Sequence, residues 1–401
     1  MFYACRWLLP IDRPPIEHAW LETAHGVIRR LGEGPPPAPA ENLGDVVVMP
    51  GLVNAHTHLE LSWMAGQVAP AASLVAWIRA MLTLRRSGAP GGQAREAQAV
   101  GEALASMHAS GTVLVGDISN SLMTPALMAR AGMGGVVFHE LIGFDVIDPV
   151  SVVSDAIGRL GIVHGQIDRA VPLVRLSLAA HAPYSVAPSL FREIAARVPD
   201  GPLSVHLAES ADELAFLRTG RGPMRDLLDD LGSWTPAWSA PGGGPVEYLA
   251  QQGYLRRGLL AVHGVHLADD DLWRLREAGA TLVTCPRSNL WVGAGMPRIP
   301  HFYAAGLPVA IGTDSLASVD SLSLFDELAE LRRIAPDVTA AALLASATRV
   351  GAEALGFGQT HGTIAAGKTA ALLAVDIPAG VRDVEEYLVS GVPSSAVRHL
   401  S

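Results

Sequence analysis

Histidines stand at the end of a short apolar run of this sequence, where they could bind a metal ion. The run ends in Asn54-Ala55-His56-Thr57-His58. Side chains in a strand alternate with a period of two, so two histidines separated by one residue point the same way. Neutral imidazoles that face one point are suitable ligands for Zn²⁺ or Fe²⁺. The pair alone is weak evidence, because structural or surface histidines also occur at this spacing.

Titratable residues follow four later apolar runs as well. These residues are His181, His206 with Glu209, His263, and Asp314. A lone histidine is most often a structural residue held by a hydrogen bond. Five runs that all end in such groups are not a chance arrangement, and together they indicate a catalytic metal site.

We predict that the metal ligands are His56, His58, His206 and Asp314. They supply three nitrogens and a carboxylate oxygen, which leaves one coordination position for water, as in catalytic rather than structural sites. Water in that position loses a proton near neutral pH, because its pKa falls to about 7 from roughly 15.7 in bulk. Asp314 is expected to accept this proton.

Two further residues are candidates for acid–base roles. Glu209 comes three residues after His206 and is placed to protonate a substrate ring nitrogen; the alternative is an ordinary acidic residue at the start of a helix. His263 is expected to orient the water or to stabilise the tetrahedral intermediate. We prefer His263 to His266 because it ends an apolar run, whereas His266 begins the next helix.

The elements that must position these residues follow a regular pattern. Eight apolar runs, which read as buried strands, alternate with helical patterns. The fold class is therefore α/β, and eight repeats favour a (β/α)8 barrel of the TIM type, whose active site lies at the carboxyl ends of the strands. The predicted strands are 52–56, 112–117, 135–138, 174–181, 203–206, 259–263, 281–284 and 309–312. The main predicted helices are 74–86, 94–109, 189–197, 269–278, 322–334 and 339–355.

Shorter strand-like segments lie near both ends of the chain. They are residues 46–49, 362–364, 370–375 and 387–389. We expect residues 1–50 and 362–401 to form a composite β-sandwich, and residues 51–361 to form the metal-dependent hydrolase barrel. Residues 220–246, rich in Pro, Gly and Trp, predict a long loop that is either a lid over the site or a surface insertion.

The composition excludes several functional classes. The chain has 401 residues with a net charge of −10, so it lacks the basic surface of a nucleic-acid-binding protein. No stretch approaches the ~20 uncharged apolar residues of a membrane span, and the N-terminus lacks the basic start of a secretory signal. Cys5 and Cys285 are too few for a disulfide framework. We expect a cytoplasmic enzyme that binds neither nucleic acid nor membranes.

Three motifs of the chain resemble the amidohydrolase superfamily, in its cytosine/guanine/adenosine deaminase and chlorohydrolase branch. They are residues 49–58, 206–209 and 312–315, which occur in the family's order and spacing. The resemblance implies a (β/α)8 barrel with a small β-sandwich built from both termini. It also implies one divalent metal, usually zinc and sometimes iron, and it makes a homodimer possible.

A finer signature resembles the 6-aminodeoxyfutalosine deaminases of the alternative menaquinone pathway, which convert the adenine base of a benzoate-bearing nucleoside to hypoxanthine. The signature consists of Glu209-Ser210, Glu213, residues 216–220, Gly222-Pro223 and residues 284–289. The resemblance implies that His181 approaches the nucleoside sugar. It also assigns further pocket residues, namely Arg287, Ser288, Asn289 and Ser315.

Other side chains fit a nucleoside with a distal carboxylate. Trp63 is a candidate to stack on the flat base, with ordinary packing as the alternative. The candidates to bind the carboxylate through paired hydrogen bonds are Arg79, Arg85 and Arg218. Each arginine is equally well explained as a solvated charge on a helix.

The expected reaction is hydrolytic deamination of a purine nucleoside, with alternatives in two classes. Within the enzymes, the substrate is alternatively adenosine, S-adenosylhomocysteine, methylthioadenosine or guanine, and hydrolytic dechlorination uses the same activated water. In a different class, the chain is a barrel that has lost catalysis and serves as a scaffold. The scaffold is disfavoured because all four ligands and Glu209 are present.

Overall fold

The computed structural model describes residues 1–167 and 174–400, which build two sheets. The first sheet begins with five N-terminal strands: β1 (Phe2–Leu8), β2 (Ile16–Ala24), β3 (Val27–Glu33), β4 (Glu41–Asn42) and β5 (Val46–Pro50). The second sheet is parallel and has eight strands: β6 (Leu52–Thr57), β7 (Thr112–Ser119), β8 (Gly134–Leu141), β9 (Val174–Ala180), β10 (Leu203–Leu207), β11 (Leu259–His263), β12 (Thr281–Thr284) and β13 (Val309–Ile311). Two last strands return to the first sheet: β14 (Leu372–Asp376) and β15 (Val397–Leu400).

Helices alternate with the parallel strands. Along the chain they are α1 (Leu74–Ser87), α2 (Gly92–Ala109), α3 (Thr124–Arg130), α4 (Pro149–Gln166), α5 (Pro188–Arg197), α6 (Ala211–Thr219), α7 (Pro223–Asp230), α8 (Pro245–Gln251), α9 (Asp269–Ala278), α10 (Pro286–Trp291), α11 (Ile299–Ala304), α12 (Leu324–Ile334), α13 (Ala340–Ala345), α14 (Gly351–Ala354) and α15 (Val384–Val389). Short 3₁₀ helices occupy Leu59–Met64 and Ser394–Ala396, and a π-helical turn at Ser346–Val350 joins α13 to α14. Among the described residues, no helix is both long enough and apolar enough to cross a bilayer.

The eight parallel strands form a closed barrel. They pair in chain order from β6 to β13, and an isolated bridge between Thr57 in β6 and Asp314, just beyond β13, closes the barrel. The predicted (β/α)8 fold class is therefore confirmed. The strands are buried throughout most of their length, because helices cover a barrel sheet outside and side chains fill it inside. This double burial explains why the strands read as continuous apolar runs rather than as alternating patterns.

Both ends of the chain meet in the first sheet. Its strand order is β15-β14-β5-β1-β2-β3, with β4 paired to β1, and β5 runs antiparallel to β14. Gly51 alone separates β5 from the barrel strand β6. A side chain at Gly51 would collide with Val113, so only glycine fits this junction. The division of the chain after residues 50 and 361 into two domains stays a prediction.

Four predicted elements differ from the structure. Residues 220–246 do not form one loop, because they contain α7 and the start of α8; each helix begins with a proline, whose missing N–H costs nothing in the first turn. Residues 387–389 end helix α15, whose N-terminus is capped by the Asp383 side chain. Residues 362–364 lie outside the strands, and the predicted helix 339–355 is interrupted by the π-helical turn.

Asn54 connects the two strands that close the barrel. Its Nδ2 donates to Thr313 Oγ1 over 2.7 Å, and its Oδ1 accepts from the backbone N–H groups of Thr313 (3.2 Å) and His56 (3.4 Å). Backbone bonds lie beside it: the N–H groups of Thr313 and Asp314 both donate to the His56 carbonyl over 3.1 Å. Since Asn54 is fully buried, these polar groups have no access to solvent.

We therefore predict that Asn54→Ala destabilises the barrel. Loss of the side chain removes the Asn54 acceptor of the buried His56 N–H and the donor to Thr313 Oγ1, while the Thr313 N–H keeps the His56 carbonyl; unsatisfied buried groups cost about 1–3 kcal/mol. The free energy of unfolding, measured by urea denaturation, should fall by about this amount. Asn42→Ala is the control, because Asn42 is exposed and its loss should cost under about 0.5 kcal/mol. Equal stability of the wild type and Asn54→Ala would contradict the role given to Asn54.

Candidate active site

The predicted chemical groups converge at the carboxyl ends of the barrel strands. His56 lies near the end of β6, His206 in β10 and His263 at the end of β11, while Asp314 follows β13. One cavity opens at this end of the barrel. Its lining includes His58, His181, His206, Glu209, His263, Asp314 and Ser315. The barrel topology thus brings together residues from five separate parts of the sequence.

The four predicted metal ligands lie within a few ångströms of each other. His58 Nε2 is 3.2 Å from His206 Nε2, and Asp314 Oδ1 is 3.5 Å from His58 Nε2 and 3.8 Å from His56 Nε2. His56 Nε2 is buried and has no hydrogen-bond partner among the described residues. A buried nitrogen without a partner is unusual in a native protein. Its position beside a carboxylate and two imidazoles fits a site for a divalent cation.

Among the described residues, three groups of side chains meet the distance requirement for metal ligands, and two of them share His56. One is His56, His58 and Asp314; the other is His56, His206 and His263. Within each group the potential ligand atoms lie within 4.8 Å of one another. The predicted ligand set combines the first group with His206. His263 is close enough to serve either as a ligand or as a neighbour that contacts the reacting water.

Hydrogen bonds orient the imidazoles of this cluster. His206 Nδ1 donates to the His181 carbonyl over 2.9 Å, and His263 Nδ1 donates to Asn289 Oδ1 over 2.8 Å. In both rings the Nε2 atom is therefore the one left to face the cavity. A second partner of this kind is the usual way in which proteins fix the tautomer and orientation of a metal-binding histidine.

Burial keeps the histidines neutral. It lowers the pKa of His56 and His206 well below the ordinary value, and neighbouring histidines lower it further. The pKa of His58 is lowered for the same main reason, although Asp314 and Glu140 oppose the shift. A neutral imidazole is the form that binds a metal, so the cluster is prepared for coordination without losing protons.

The carboxylate of Asp314 is held by two hydroxyl groups. Ser288 Oγ donates to Asp314 Oδ2 over 2.6 Å and Ser318 Oγ over 3.1 Å. The other oxygen, Oδ1, is the one that faces His56 and His58. One oxygen thus anchors the side chain while the other remains available for a cation or a proton.

Glu209 is a buried carboxyl group on the same cavity wall. Its side chain is 7% exposed, and its Oε1 atom lies 3.6 Å from His263 Nε2. Burial raises the pKa of Glu209, whereas the neighbouring His263 lowers it. A carboxyl group with a raised pKa can hold a proton closer to neutral pH, as a general acid must. Glu209 is therefore a buried carboxyl group on the cavity wall whose protonated form is favoured by burial.

The backbone at the strand ends adopts an uncommon conformation at three positions. Ala208, His263 and Asp314 have φ angles of 51°, 76° and 62°, in the left-handed region that favours glycine. Glu213 stabilises the first of these turns, because its two carboxylate oxygens accept the N–H groups of Ala208 and Glu209, each over 3.0 Å. Strained residues of this kind concentrate at functional sites, where the surrounding structure holds them in place.

The structure places some predicted substrate-binding residues away from the cavity. His181 and Ser315 line it, but Trp63 packs into the hydrophobic core instead. Arg287 points towards helix α12, where its Nη1 lies 3.5 Å from Glu327 Oε1. Tight packing surrounds Trp63 and an ion pair occupies Arg287, and the substrate contact of these two residues stays a prediction.

Ser288 and Asn289 act on the site through other residues. Both lie in α10, which starts immediately after β12, and both are fully buried. As described above, Ser288 donates to Asp314 and Asn289 accepts from His263. Among the described residues, neither lines the cavity. In this structure they hold a carboxylate and an imidazole of the site, and their contact with substrate stays a prediction.

The two neighbouring histidines, His263 and His266, have different surroundings. His266 Nε2 donates to the Ala294 carbonyl over 2.8 Å, whereas His263 lines the cavity.

The thiol of Cys285 lies immediately after strand β12. It is fully buried, and burial raises its pKa well above the ordinary value. A thiol in this environment stays protonated and is a packing residue.

The sequence-based prediction of the site does not include Glu140, and it gives no role to Glu213. Glu140 lines the cavity at the end of β8, yet the predicted third strand stopped at residue 138. Because β8 extends to Leu141, Glu140 is a titratable residue at a strand end, which is the same sequence signal that marks the other residues of the site. The sequence shows Glu213 only as part of a motif, because its backbone contacts depend on how α6 follows β10.

Comparison with known proteins gives a consistent result. The model of the amidohydrolase family matches residues 47–397. The aminodeoxyfutalosine deaminase of Deinococcus radiodurans is 33% identical over 332 residues, which cover 80% of this chain and 76% of the relative. The 5-methylthioadenosine/S-adenosylhomocysteine deaminase of Halobacterium salinarum is 30% identical over 394 residues, which cover 93% of this chain and 84% of the relative.

Solved structures show the same architecture. An adenosine deaminase from Xanthomonas campestris with bound zinc has a TM-score of 0.81 and 27% identity, and the match covers 99% of this chain and 90% of that one. The aminofutalosine deaminase of Helicobacter pylori has a TM-score of 0.85 and 23% identity, and the match covers 97% and 96% of the two chains. The second likeness shows the fold alone.

The position of Glu213 leads to a prediction for the site. In Glu213→Gln an amide NH₂ replaces one oxygen and faces a backbone N–H, so one buried donor loses its acceptor. We expect the free energy of unfolding to fall by about 1–3 kcal/mol in urea denaturation. Asp212→Asn in the same helix is the control and should change stability by under about 0.5 kcal/mol. Equal effects of both substitutions would refute the special role of Glu213.

Proposed function

This chain belongs to the amidohydrolase family, and we propose that it hydrolytically removes the amino group from the base of an adenine nucleoside. The observation that carries the proposal is the cavity lined by Glu209, His263, His206 and Asp314, with the buried His56 beside His206 and His263. The relatives named above are deaminases of adenine nucleosides. In the overall reaction, water adds to the ring carbon that bears the amino group, and ammonia leaves.

We assign the metal ligands to His56, His58, His206 and Asp314, with zinc as the expected ion. The buried, unpartnered Nε2 atom of His56 and the neutral state of the imidazoles support this assignment. A bound divalent cation supplies Lewis acidity, which makes water acidic enough to act as a nucleophile near neutral pH. The zinc in the Xanthomonas campestris relative belongs to that protein's structure and is consistent with this choice.

The remaining steps use the side chains of the cavity. Glu209 donates a proton to a nitrogen of the purine ring, which makes the neighbouring carbon more electrophilic. His263, held through Nδ1 by Asn289, presents Nε2 to the reacting water and stabilises the tetrahedral carbon centre that forms. Asp314, held through Oδ2 by Ser288, is placed to accept the proton that water loses. Asp314 then returns this proton to the amino group, and ammonia leaves as the bond between the ring carbon and the amino nitrogen breaks. The remaining hydroxyl proton passes back to Glu209 as the ring carbonyl forms, which restores the starting state of both carboxyl groups.

The outer wall of the cavity suggests what the substrate carries beyond its sugar. Helix α1 turns one apolar face to the cavity, and α7 contributes further leucines. The residues of this wall are Leu74, Trp77, Ile78, Met81, Leu82, Leu227 and Leu228. Arg85 lies on the same face of α1, close to its C-terminal end. An apolar wall that ends in a cation fits an aromatic ring with a carboxylate.

We therefore propose 6-aminodeoxyfutalosine as the substrate, converted to futalosine and ammonia in menaquinone biosynthesis. Of the three arginines considered for the benzoate, Arg79 pairs with Asp230 and Arg218 lies outside the cavity lining in the described part of the chain. Arg85 donates to the neutral side chain of Asn120 over 2.9 Å. Its charge therefore remains available for a carboxylate, which supports Arg85 as the benzoate-binding residue.

A second candidate substrate is 5-methylthioadenosine. The apolar wall of α1 and α7 suits a methylthio group as well as an aromatic ring, and the Halobacterium salinarum relative is named for this activity. The two candidates differ at Arg85, since methylthioadenosine has no carboxylate to pair with it. A cytoplasmic location and a homodimer belong to the same proposal and stay predictions.

Ammonia release from the zinc-loaded protein tests the proposed function. The substrates are 6-aminodeoxyfutalosine, methylthioadenosine, S-adenosylhomocysteine, adenosine and guanine, and we expect the highest kcat/KM for the first. Glu209→Gln should lower kcat by about 10²–10⁴-fold at unchanged metal content, because the proton donor is lost. Undiminished turnover in Glu209→Gln would refute the acid role. Activity on guanine alone would refute an adenine nucleoside as substrate.

Arg85→Met provides a separate test of the benzoate contact. We expect kcat/KM for 6-aminodeoxyfutalosine to fall by about 10- to 100-fold, as for the loss of hydrogen bonds to a charged group, while methylthioadenosine is unaffected. Arg86→Met is the matched control, because the neighbouring Arg86 is exposed and lies outside the described cavity lining. An equal loss of kcat/KM for both substrates would show that Arg85 does not bind the substrate carboxylate.

A further inference from the structure

Glu140 is a buried carboxylate of the cavity that the steps above leave without a role. It lies near the end of β8, and its side chain is only 3% exposed. Its Oε2 atom accepts from Asn120 Nδ2 over 2.9 Å. Its Oε1 atom is buried and has no hydrogen-bond partner within residues 1–167 and 174–400.

The surrounding residues fix the position of the Glu140 side chain but do not provide a hydrogen-bond donor to its Oε1 atom. Asn120 links it to Arg85, whose Nη2 donates to Asn120 Oδ1 over 2.9 Å. The backbone of Asn120 is fixed in turn, because its N–H donates to Glu60 Oε2 over 3.1 Å. The chain of contacts from Glu60 to Glu140 thus positions one carboxylate oxygen and leaves the other free to bind a donor from outside the protein.

Two histidine rings lie close to the unpartnered oxygen, Glu140 Oε1. Glu140 Oε1 lies 3.9 Å from His206 Nδ1, and one ring nitrogen of His181 lies within 4.8 Å of the same group. His181 Nδ1 is paired with Ser185 Oγ over 2.5 Å, so its Nε2 atom is left for a further partner. A hydrogen-bond acceptor and an imidazole nitrogen therefore stand side by side on the cavity wall.

The same three residues, Glu140, His181 and His206, also meet the distance requirement for a cation site. His206 is not free for such a role, because its Nδ1 donates to the His181 carbonyl and its Nε2 faces His58. Glu140 Oε1 can instead accept a hydrogen bond from a neutral group, and an alcohol hydroxyl is small enough to fit beside the His181 imidazole. A hydroxyl group that reaches Oε1 would form a charge-assisted hydrogen bond, which is stronger than one between neutral groups.

We propose that Glu140 binds a ribose hydroxyl of the nucleoside and thereby selects ribonucleosides over their deoxy forms. The inference rests on the proposed function, since it requires a nucleoside in this cavity. The unpartnered oxygen explains the selectivity: a substrate without the hydroxyl leaves a buried carboxylate oxygen unsatisfied, which raises the free energy of its complex. Asn120 is a positioning residue for this contact.

The test compares ribose and deoxyribose substrates in the zinc-loaded full-length chain. The substrates are adenosine, 2′-deoxyadenosine and 3′-deoxyadenosine, or the same deoxy forms of whichever adenine nucleoside reacts fastest. We expect the wild type to prefer the ribonucleoside over at least one deoxy form by about 10- to 100-fold in kcat/KM, as for one hydrogen bond to a charged group. In Glu140→Gln the preference should shrink to under about threefold.

Controls separate binding from general damage. Glu41→Gln, at an exposed position of β4, should keep the wild-type preference. Thermal unfolding and metal content of Glu140→Gln should match the wild type, at one ion per chain. A second ion in the wild type that disappears in Glu140→Gln would overturn the proposal, because Glu140 would then be a metal ligand.

The remaining outcomes distinguish two failures. A wild type that deaminates no adenine nucleoside refutes the proposed function and the inference with it. A wild type that deaminates nucleosides without regard to the sugar hydroxyls refutes the inference alone, even if Glu140→Gln does not fold. An unchanged preference in a folded Glu140→Gln protein also refutes the inference alone.

Discussion

The closure of the barrel between its first and last strands is the interaction on which the candidate site depends. The carbonyl of His56 accepts the N–H groups of Thr313 and Asp314, and the N–H of His58 donates back to the Asp314 carbonyl. These bonds join the segments that carry three of the four proposed metal ligands. Asn54 reinforces the same junction with its side chain. The geometry of the ligands is therefore a direct consequence of the way in which the barrel closes.

Burial decides the chemistry of the groups held at this junction. Removing imidazoles from water keeps them neutral and able to bind a cation, while the same burial raises the pKa of Glu209. Buried polar groups are costly unless they are paired, and most members of the site have a partner. Asn289 pairs with His263, and Ser288 pairs with Asp314. Among the buried atoms without partners in the described part of the chain, those on His56 and Glu140 are the places where a ligand is proposed to bind.

Substrate selection uses a different part of the molecule from the chemistry. The reacting groups belong to the ends of barrel strands, whereas the apolar wall belongs to α1 and α7, which pack against each other through Arg79 and Asp230. Relatives that share the strand ends can therefore act on different nucleosides, because helices outside the barrel are free to vary. Arg85 and Glu140 both contact Asn120, so the two proposed recognition points are physically connected.

The sequence by itself determined the eight barrel strands, the ligand set proposed for the metal and the candidate acid Glu209. It could do so because buried parallel strands are continuous apolar runs and their ends converge in a closed barrel. Only the tertiary structure decided which neighbouring polar residues face the cavity. Arg287 turned out to pair with Glu327, whereas Glu140 turned out to face the cavity with a free oxygen. Such outcomes depend on packing between elements that are distant in the chain, and local periodicity carries no information about that packing.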